Sequence, residues 1–226
     1  SSKTIGILGG MGPEATATLY LRIIKIFQER YGAKYDTDFP KMFICNLPLP
    51  DVVETIDTGN AVRDCLVQAV KELASVGVDF IAIPCNTVSY FQEEIIRAVS
   101  IPVLSVPEEV AKYVAKKGFQ KIGLLGTEMT IKMNIYGTAL KNVDLIVPPL
   151  EKIKKVTPIL MNILSGKKTE EDFCTGMKLI NELQSRGAEA VILGCTELPL
   201  LINGTDNIID TIQLLAGVVV EMAIDI

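Results

Sequence analysis

The sequence predicts an α/β fold of two similar domains, each a parallel sheet flanked by helices, related by a pseudo-twofold with the functional site in the cleft between them. Three observations carry this expectation. Short apolar bursts such as Ile5–Leu8 and Phe80–Ile83 alternate with longer stretches of helical periodicity, the pattern of strands buried on both faces and joined by crossover helices. The opening strand and its glycines (residues 4–9) are similar to residues 121–126. Finally, Glu72, Leu73, Ser75, Gly77 and Cys85 return without a gap as Glu182, Leu183, Ser185, Gly187 and Cys195, and Glu189 matches Asp79 in the same register. Such self-similarity marks a duplicated supersecondary unit.

Residues 4–8 read as the first strand. Gly9 to Pro13 forms a turn, and Glu14 to Arg30 a helix whose apolar stripe from Ala15 to Phe27 suits either the core or a second copy of the chain. Lys41 to Asn46 is the second strand. Ala61 to Val76 is a helix ended by Gly77, because glycine accepts the left-handed conformation that closes a helix. Phe80 to Pro84 is the third strand, followed by a helix from Ser89 to Ser100 and a short strand from Ile101 to Ser105. The series restarts at Lys121 to Leu125. The expected division is a first domain of residues 1–100 with 207–226 and a second of residues 101–206.

Composition narrows the chemistry. The 226 residues are 49% hydrophobic, enough for one large core or two modest ones. Apolar runs all fall short of the roughly 20 residues needed to span a bilayer, so no membrane partner is expected. The net charge is −5, and the densest basic stretch, Lys152, Lys154 and Lys155, reads as a solvated helix face, which argues against nucleic acid. The short polar stretch before Ile5 does not resemble a signal peptide, so a cytoplasmic location is expected. The cysteines are Cys45, Cys65, Cys85, Cys174 and Cys195: odd in number, widely spaced, without a C-x-x-C pair. Neither a disulfide framework nor a metal site is expected. Histidine is absent from the sequence, which removes Ser–His and Cys–His mechanisms within one chain. Proton transfer near neutral pH then falls to Cys, Asp, Glu, Lys or Tyr.

Two cysteines stand apart. Cys85 ends an apolar strand and precedes Asn86 and Thr87; Cys195 follows Val191, Ile192, Leu193 and Gly194 and precedes Thr196 and Glu197. The C-terminal end of a parallel strand faces the crevice in which α/β proteins bind ligands, and a helix starting there would favour thiolate over thiol. Cys45, inside a strand, and Cys65, on an apolar helix stripe, read as inert, and Cys174 has no such setting. Glu197 suits a substrate ammonium or influence on the thiol, and equally a helix cap. In related halves the two strand ends face one another, so two thiols flank one carbon: a thiolate removes a proton from one face while the opposite thiol returns one to the other.

The loop Gly9 to Thr16 is the third element. Gly10, Gly12 and Ala15 match the dinucleotide pattern G-x-G-x-x-A, which keeps a nicotinamide-dependent oxidoreductase as a rival. Pro13, however, lacks a backbone donor where the helix starts, and the same loop suits a small carboxylate at a helix N-terminus. In the second half Thr127 and Thr130 are candidate donors to a carboxylate oxygen, or ordinary helix caps.

Three stretches, Gly6 to Thr16, Pro84 to Thr87 and Gly194 to Glu197, resemble in order the signature segments of the aspartate/glutamate racemase family. The resemblance implies two α/β domains, a homodimer and catalysis by Cys85 and Cys195 without pyridoxal phosphate or another cofactor. It implies substrate contacts at Met11, Asn86, Thr87, Thr127, Thr130 and Thr196, to which the reading of the residues themselves adds Gly12 and Glu197, and an acidic amino acid as substrate, aspartate ahead of glutamate. The sequence departs from aspartate-acting members where Val52 stands for an arginine and Ser165 for a lysine; Lys132, Lys167 and Lys168 are the substitutes available. Competing expectations are another Cys-dependent enzyme, of the hydantoin racemase, maleate isomerase or decarboxylase type, and a non-catalytic dicarboxylate-binding protein.

Overall fold

A computed structural model describes residues 2–50 and 60–224. The first half runs β1 (Ile5–Gly9), α1 (Pro13–Tyr31), β2 (Met42–Asn46), α2 (Asn60–Ser75), β3 (Phe80–Ile83), α3 (Gln92–Arg97), β4 (Val103–Ser105) and α4 (Val106–Lys117). The second runs β5 (Lys121–Leu125), α5 (Glu128–Lys132), α6 (Ile135–Ala139), β6 (Asp144–Ile146), α7 (Leu150–Ile153), α8 (Val156–Leu164), α9 (Glu170–Ser185), β7 (Ala190–Leu193), β8 (Ile208–Ile209) and α10 (Thr211–Ile224). Two four-stranded sheets result, ordered β2-β1-β3-β4 and β6-β5-β7-β8, with every strand pair parallel. The duplicated order bears out the two-domain α/β expectation.

The repeated residues do the same work in both halves. Asp79 Oδ2 accepts the N–H of Thr4 at 2.6 Å, and Glu189 Oε2 accepts those of Gln120 and Lys121 at 2.6 and 2.8 Å. Each acid thus fastens the start of the central strand to the turn before its neighbour. Gly77 and Gly187 make that turn at φ +85° and +96°, a region costly for residues with a Cβ.

Alternation along the strands sorts the core into three parts. Ile5, Ile7, Phe80 and Ala82 of the first sheet join Ile122, Leu124, Ala190 and Ile192 of the second in one continuous cluster, closed by α1, α4, α6 and α10. The opposite faces bury separately. Leu8, Ile81 and Ile83 meet α2 and α3, and Leu125, Val191 and Leu193 meet α8 and α9. The α1 stripe faces the shared core through Ala15, Leu19, Ile23 and Phe27, and Arg22 pairs with Asp210 at 2.6 Å to hold the start of α10.

Several expectations are corrected. The helix expected from Ser89 to Ser100 is a 3₁₀ turn, Thr87–Phe91, followed by the short α3. The Ser89 N–H and hydroxyl both donate to the Asn86 carbonyl, which tightens the first turn. Pro102 then forces the preceding residue out of helical geometry. Cys65 is exposed, because the buried face of α2 is Val62, Leu66, Ala69, Val70 and Leu73 and Cys65 lies beside that stripe. The domain division stands as a proposal: sheet membership puts β4, ending at Ser105, in the first unit and β8, ending at Ile209, in the second, and we propose divisions after those strands, with α10 packing on α1 and α4. No helix among the described residues is long and apolar enough to cross a membrane.

Candidate active site

Both sheets point the C-terminal ends of their strands at one cavity of about 180 Å³. The first half brings Gly10, Met11, Gly12 and Pro13 from the β1–α1 turn, Leu49 and Pro50 beyond β2, and Cys85, Asn86 and Thr87 beyond β3. The second brings Thr127, Leu160, Leu164, Gly194, Cys195, Thr196 and Glu197. Of the catalytic and substrate-contact residues expected from the sequence, all line this cavity except Thr130. Fully buried, Thr130 lies behind Thr127, its hydroxyl 3.1 Å from the Thr127 hydroxyl and its N–H capped by it.

The cysteines occupy equivalent places. Each lies two residues past its strand, beyond Pro84 or Gly194, and each is buried. The backbone N–H groups of Val88 and Thr87 face the Cys85 sulfur; the N–H and hydroxyl of Thr127 face that of Cys195. These donors favour the thiolate, as the sequence suggested, but burial outweighs them. Both thiols are pushed up to about 12, chiefly by loss of water, with the Glu197 carboxylate adding to the rise. The expectation of thiolates favoured by a helix terminus is therefore reversed. The segment after Cys85 is a single 3₁₀ turn with little dipole, and a buried sulfur loses hydration that two or three donors do not replace.

Glu197 connects the halves. Its Oε1 accepts the Gly12 N–H at 3.1 Å and faces the Thr196 hydroxyl at 3.4 Å. Burial raises its carboxyl above the usual range. The capping alternative fails, since Glu197 precedes a 3₁₀ turn without capping it through its side chain. The bond also changes the reading of the glycine loop. Gly12 donates to Glu197 and Gly10 to Thr16 Oγ1, so neither N–H is free for a carboxylate. A buried acid where a pyrophosphate would approach also disfavours the dinucleotide rival. Gly10 is required: at φ +89° a Cβ would sit 2.6 Å from the Leu47 N.

One participant escaped sequence reasoning. Tyr136, on α6, is fully buried, and its hydroxyl donates to Asn86 Oδ1 across the junction of the two halves. This fixes the Asn86 amide, whose Nδ2 is buried without a partner among the described residues. A buried donor left over at a cavity wall is a ready binding group for a carboxylate. Burial, and then the neighbouring Cys195, raises the Tyr136 phenol well above its usual range, so it stays a donor. The apolar wall of Leu49, Leu160 and Leu164 was not singled out either; their periodicity reports a buried helix or strand face and not which cavity it borders. Among the described residues no group of acids and thiols is arranged to hold a metal ion.

A family profile described as Asp/Glu/hydantoin racemase matches residues 8–222. The chain is 33% identical over 195 residues to the broad specificity amino-acid racemase RacX of Bacillus subtilis, covering 86% of this chain and 85% of that protein. Among solved structures it is similar to the aspartate racemase of Picrophilus torridus, with 25% identity and a TM-score of 0.82 over 98% of this chain and 94% of that one. It is likewise similar to an aspartate racemase homologue from Pyrococcus horikoshii, with 28% identity and a TM-score of 0.80 over 98% and 99% of the two chains.

Replacing Tyr136 with Phe leaves Asn86 Oδ1 buried without its donor and is expected to cost about 1–3 kcal/mol in urea denaturation; an unchanged midpoint would remove the hydrogen bond from the account. Unfolded thiols ionise near 9.0, folded ones near 12, so the unfolded state sheds protons first as the pH rises. The stability contributed by the protonated thiols is complete below pH 9 and is lost toward pH 12. The gap in unfolding free energy between the wild type and Cys85→Ala/Cys195→Ala should therefore narrow across that window under reducing conditions. A constant gap would contradict the burial effect.

Proposed function

Because the chain belongs to the Asp/Glu/hydantoin racemase family of amino-acid racemases, we propose that it inverts the Cα configuration of an α-amino acid with Cys85 and Cys195 as its two acid–base groups. The observation that carries this is the meeting of two equivalent strand-end thiols, each faced by its own donors, at one small cavity. In the working state one sulfur is thiolate and the other thiol. The thiolate takes the Cα proton from one face, and the electron pair left on Cα is delocalised into the substrate carboxyl group. The opposite thiol then protonates Cα from the other face and becomes the thiolate. No group outside the pair changes its proton count, and the pair ends set for the reverse direction.

Glu197 supplies the coupling to substrate. Burial first, and then its charge, hold both thiols protonated; an α-ammonium beside it offsets that charge and lowers the cost of a thiolate. The Asn86 amide, oriented by Tyr136, and the hydroxyls of Thr87, Thr127 and Thr196 are suited to the α-carboxylate, with Met11 and Gly12 closing the cavity beside them. The polar ends of any α-amino acid are thereby provided for. Aspartate, then glutamate, are the side chains the resemblance implies; the broad-specificity relative supports a wider set.

Cys85→Ala and Cys195→Ala are each expected to lower racemisation at least about 10²-fold while leaving the circular dichroism unchanged. The assay is loss of the Cα proton signal in deuterated water together with loss of optical rotation. Full activity in either variant would end the two-thiol mechanism. The homodimer implied by the resemblance is carried forward with this proposal, and a sedimentation mass of one chain at micromolar concentration would remove it.

A further inference from the structure

Resting on the two-thiol reading, we infer that the site selects α-amino acids whose side chain carries no negative charge, aliphatic ones of alanine to methionine size foremost, and discriminates against dicarboxylic substrates. The ground is the charge and polarity of the cavity wall. Among the described residues that line it, none is Lys or Arg, and the one charged residue is Glu197, itself an acid. Away from the thiols and the Asn86 amide the wall is Met11, Leu49, Pro50, Leu160 and Leu164. Leu164 reaches over the glycine loop, its Cδ2 2.9 Å from where a Gly12 Cβ would stand.

The positions at which a counter-charge was sought supply none. Ser165 is exposed, its hydroxyl turned back to the Asn162 carbonyl. Lys132 pairs with Glu128 at 2.7 Å, and Lys168 pairs with Glu14 on the N-terminal turn of α1. Neither these two nor Lys167 lines the cavity. Val52 lies in residues 51–59, outside the described residues, and that stretch contains Asp51, Glu54 and Asp57 but no lysine or arginine. A second carboxylate would thus enter an apolar wall beside an existing acid. Desolvation and like-charge repulsion both oppose it there, whereas a methyl or thioether group loses neither water nor charge pairing. A side chain of that kind gains contact with Leu49 and Leu164 instead.

The test uses the full chain under reducing conditions, with L-alanine, L-leucine, L-methionine, L-aspartate and L-glutamate compared for Cα-proton exchange in deuterated water. Leucine or methionine is expected to exceed both dicarboxylic acids in kcat/KM by at least about tenfold. Aspartate or glutamate equal to or faster than the aliphatic substrates overturns the inference while leaving the two-thiol mechanism intact. Exchange with none of the five ends the catalytic reading. Calorimetric binding to Cys85→Ala/Cys195→Ala then decides specificity by itself: methionine tighter than aspartate upholds the selection, and the reverse order overturns it. As an independent check, Leu164→Lys, at a position 38% exposed, should shift the aspartate-to-methionine ratio of kcat/KM toward aspartate; an unchanged ratio would remove Leu164 from the selecting wall.

Discussion

The apolar core enclosed between the two sheets is the constraint on which the rest of the molecule depends. Ile5, Ile7, Phe80 and Ala82 bury into the same cluster as Ile122, Leu124, Ala190 and Ile192. Close-packed interiors transmit displacement and do not absorb it, so neither sheet shifts without disturbing the other. Each cysteine follows its strand by only two residues. The shared core therefore fixes, through short connections, where both sulfurs lie, and the cavity between them is a consequence of how the inner faces pack.

That placement carries an electrostatic cost which the site manages locally. Enclosing two thiols and a carboxylate in a small cavity removes water from all three, and Glu197 further disfavours ionisation of its neighbours. The Gly12 N–H and Thr196 hydroxyl keep the acid hydrogen-bonded. The donors at Thr87, Val88 and Thr127 keep a thiolate within reach. Tyr136 belongs to the same economy: by satisfying one end of the Asn86 amide it leaves the other end for a ligand.

The family likeness and the cavity wall address different parts of the substrate. On the proposed reading the thiols, the Asn86 amide, the Thr87 and Thr196 hydroxyls and Glu197 address the ammonium, carboxylate and Cα that all α-amino acids share, and these residues lie in the stretches that resemble the family signatures, with Thr127 outside them. The wall proposed to meet the side chain comes from Leu49 and Pro50 beyond β2 and from Leu160 and Leu164 of α8. Under that proposal chemistry and specificity are carried on separate segments.

Much of the fold and the candidate reacting pair was legible in the sequence. Strand bursts and helical stretches follow from local periodicity, and the two-domain order follows from residues repeated at one offset, which a single chain displays by itself. Cys85 and Cys195 stand out because cysteine is rare and both end strands. The tertiary structure alone decided what depends on distant residues. It set the direction of the thiol shifts, which is a matter of burial summed over both halves. It gave the Gly12 N–H to Glu197, and it placed Thr130 behind Thr127 and Tyr136 against Asn86. It also supplied the leucine wall. Periodicity tells which face of an element is apolar; only the packing of non-neighbouring elements tells whether that face meets the core or a ligand.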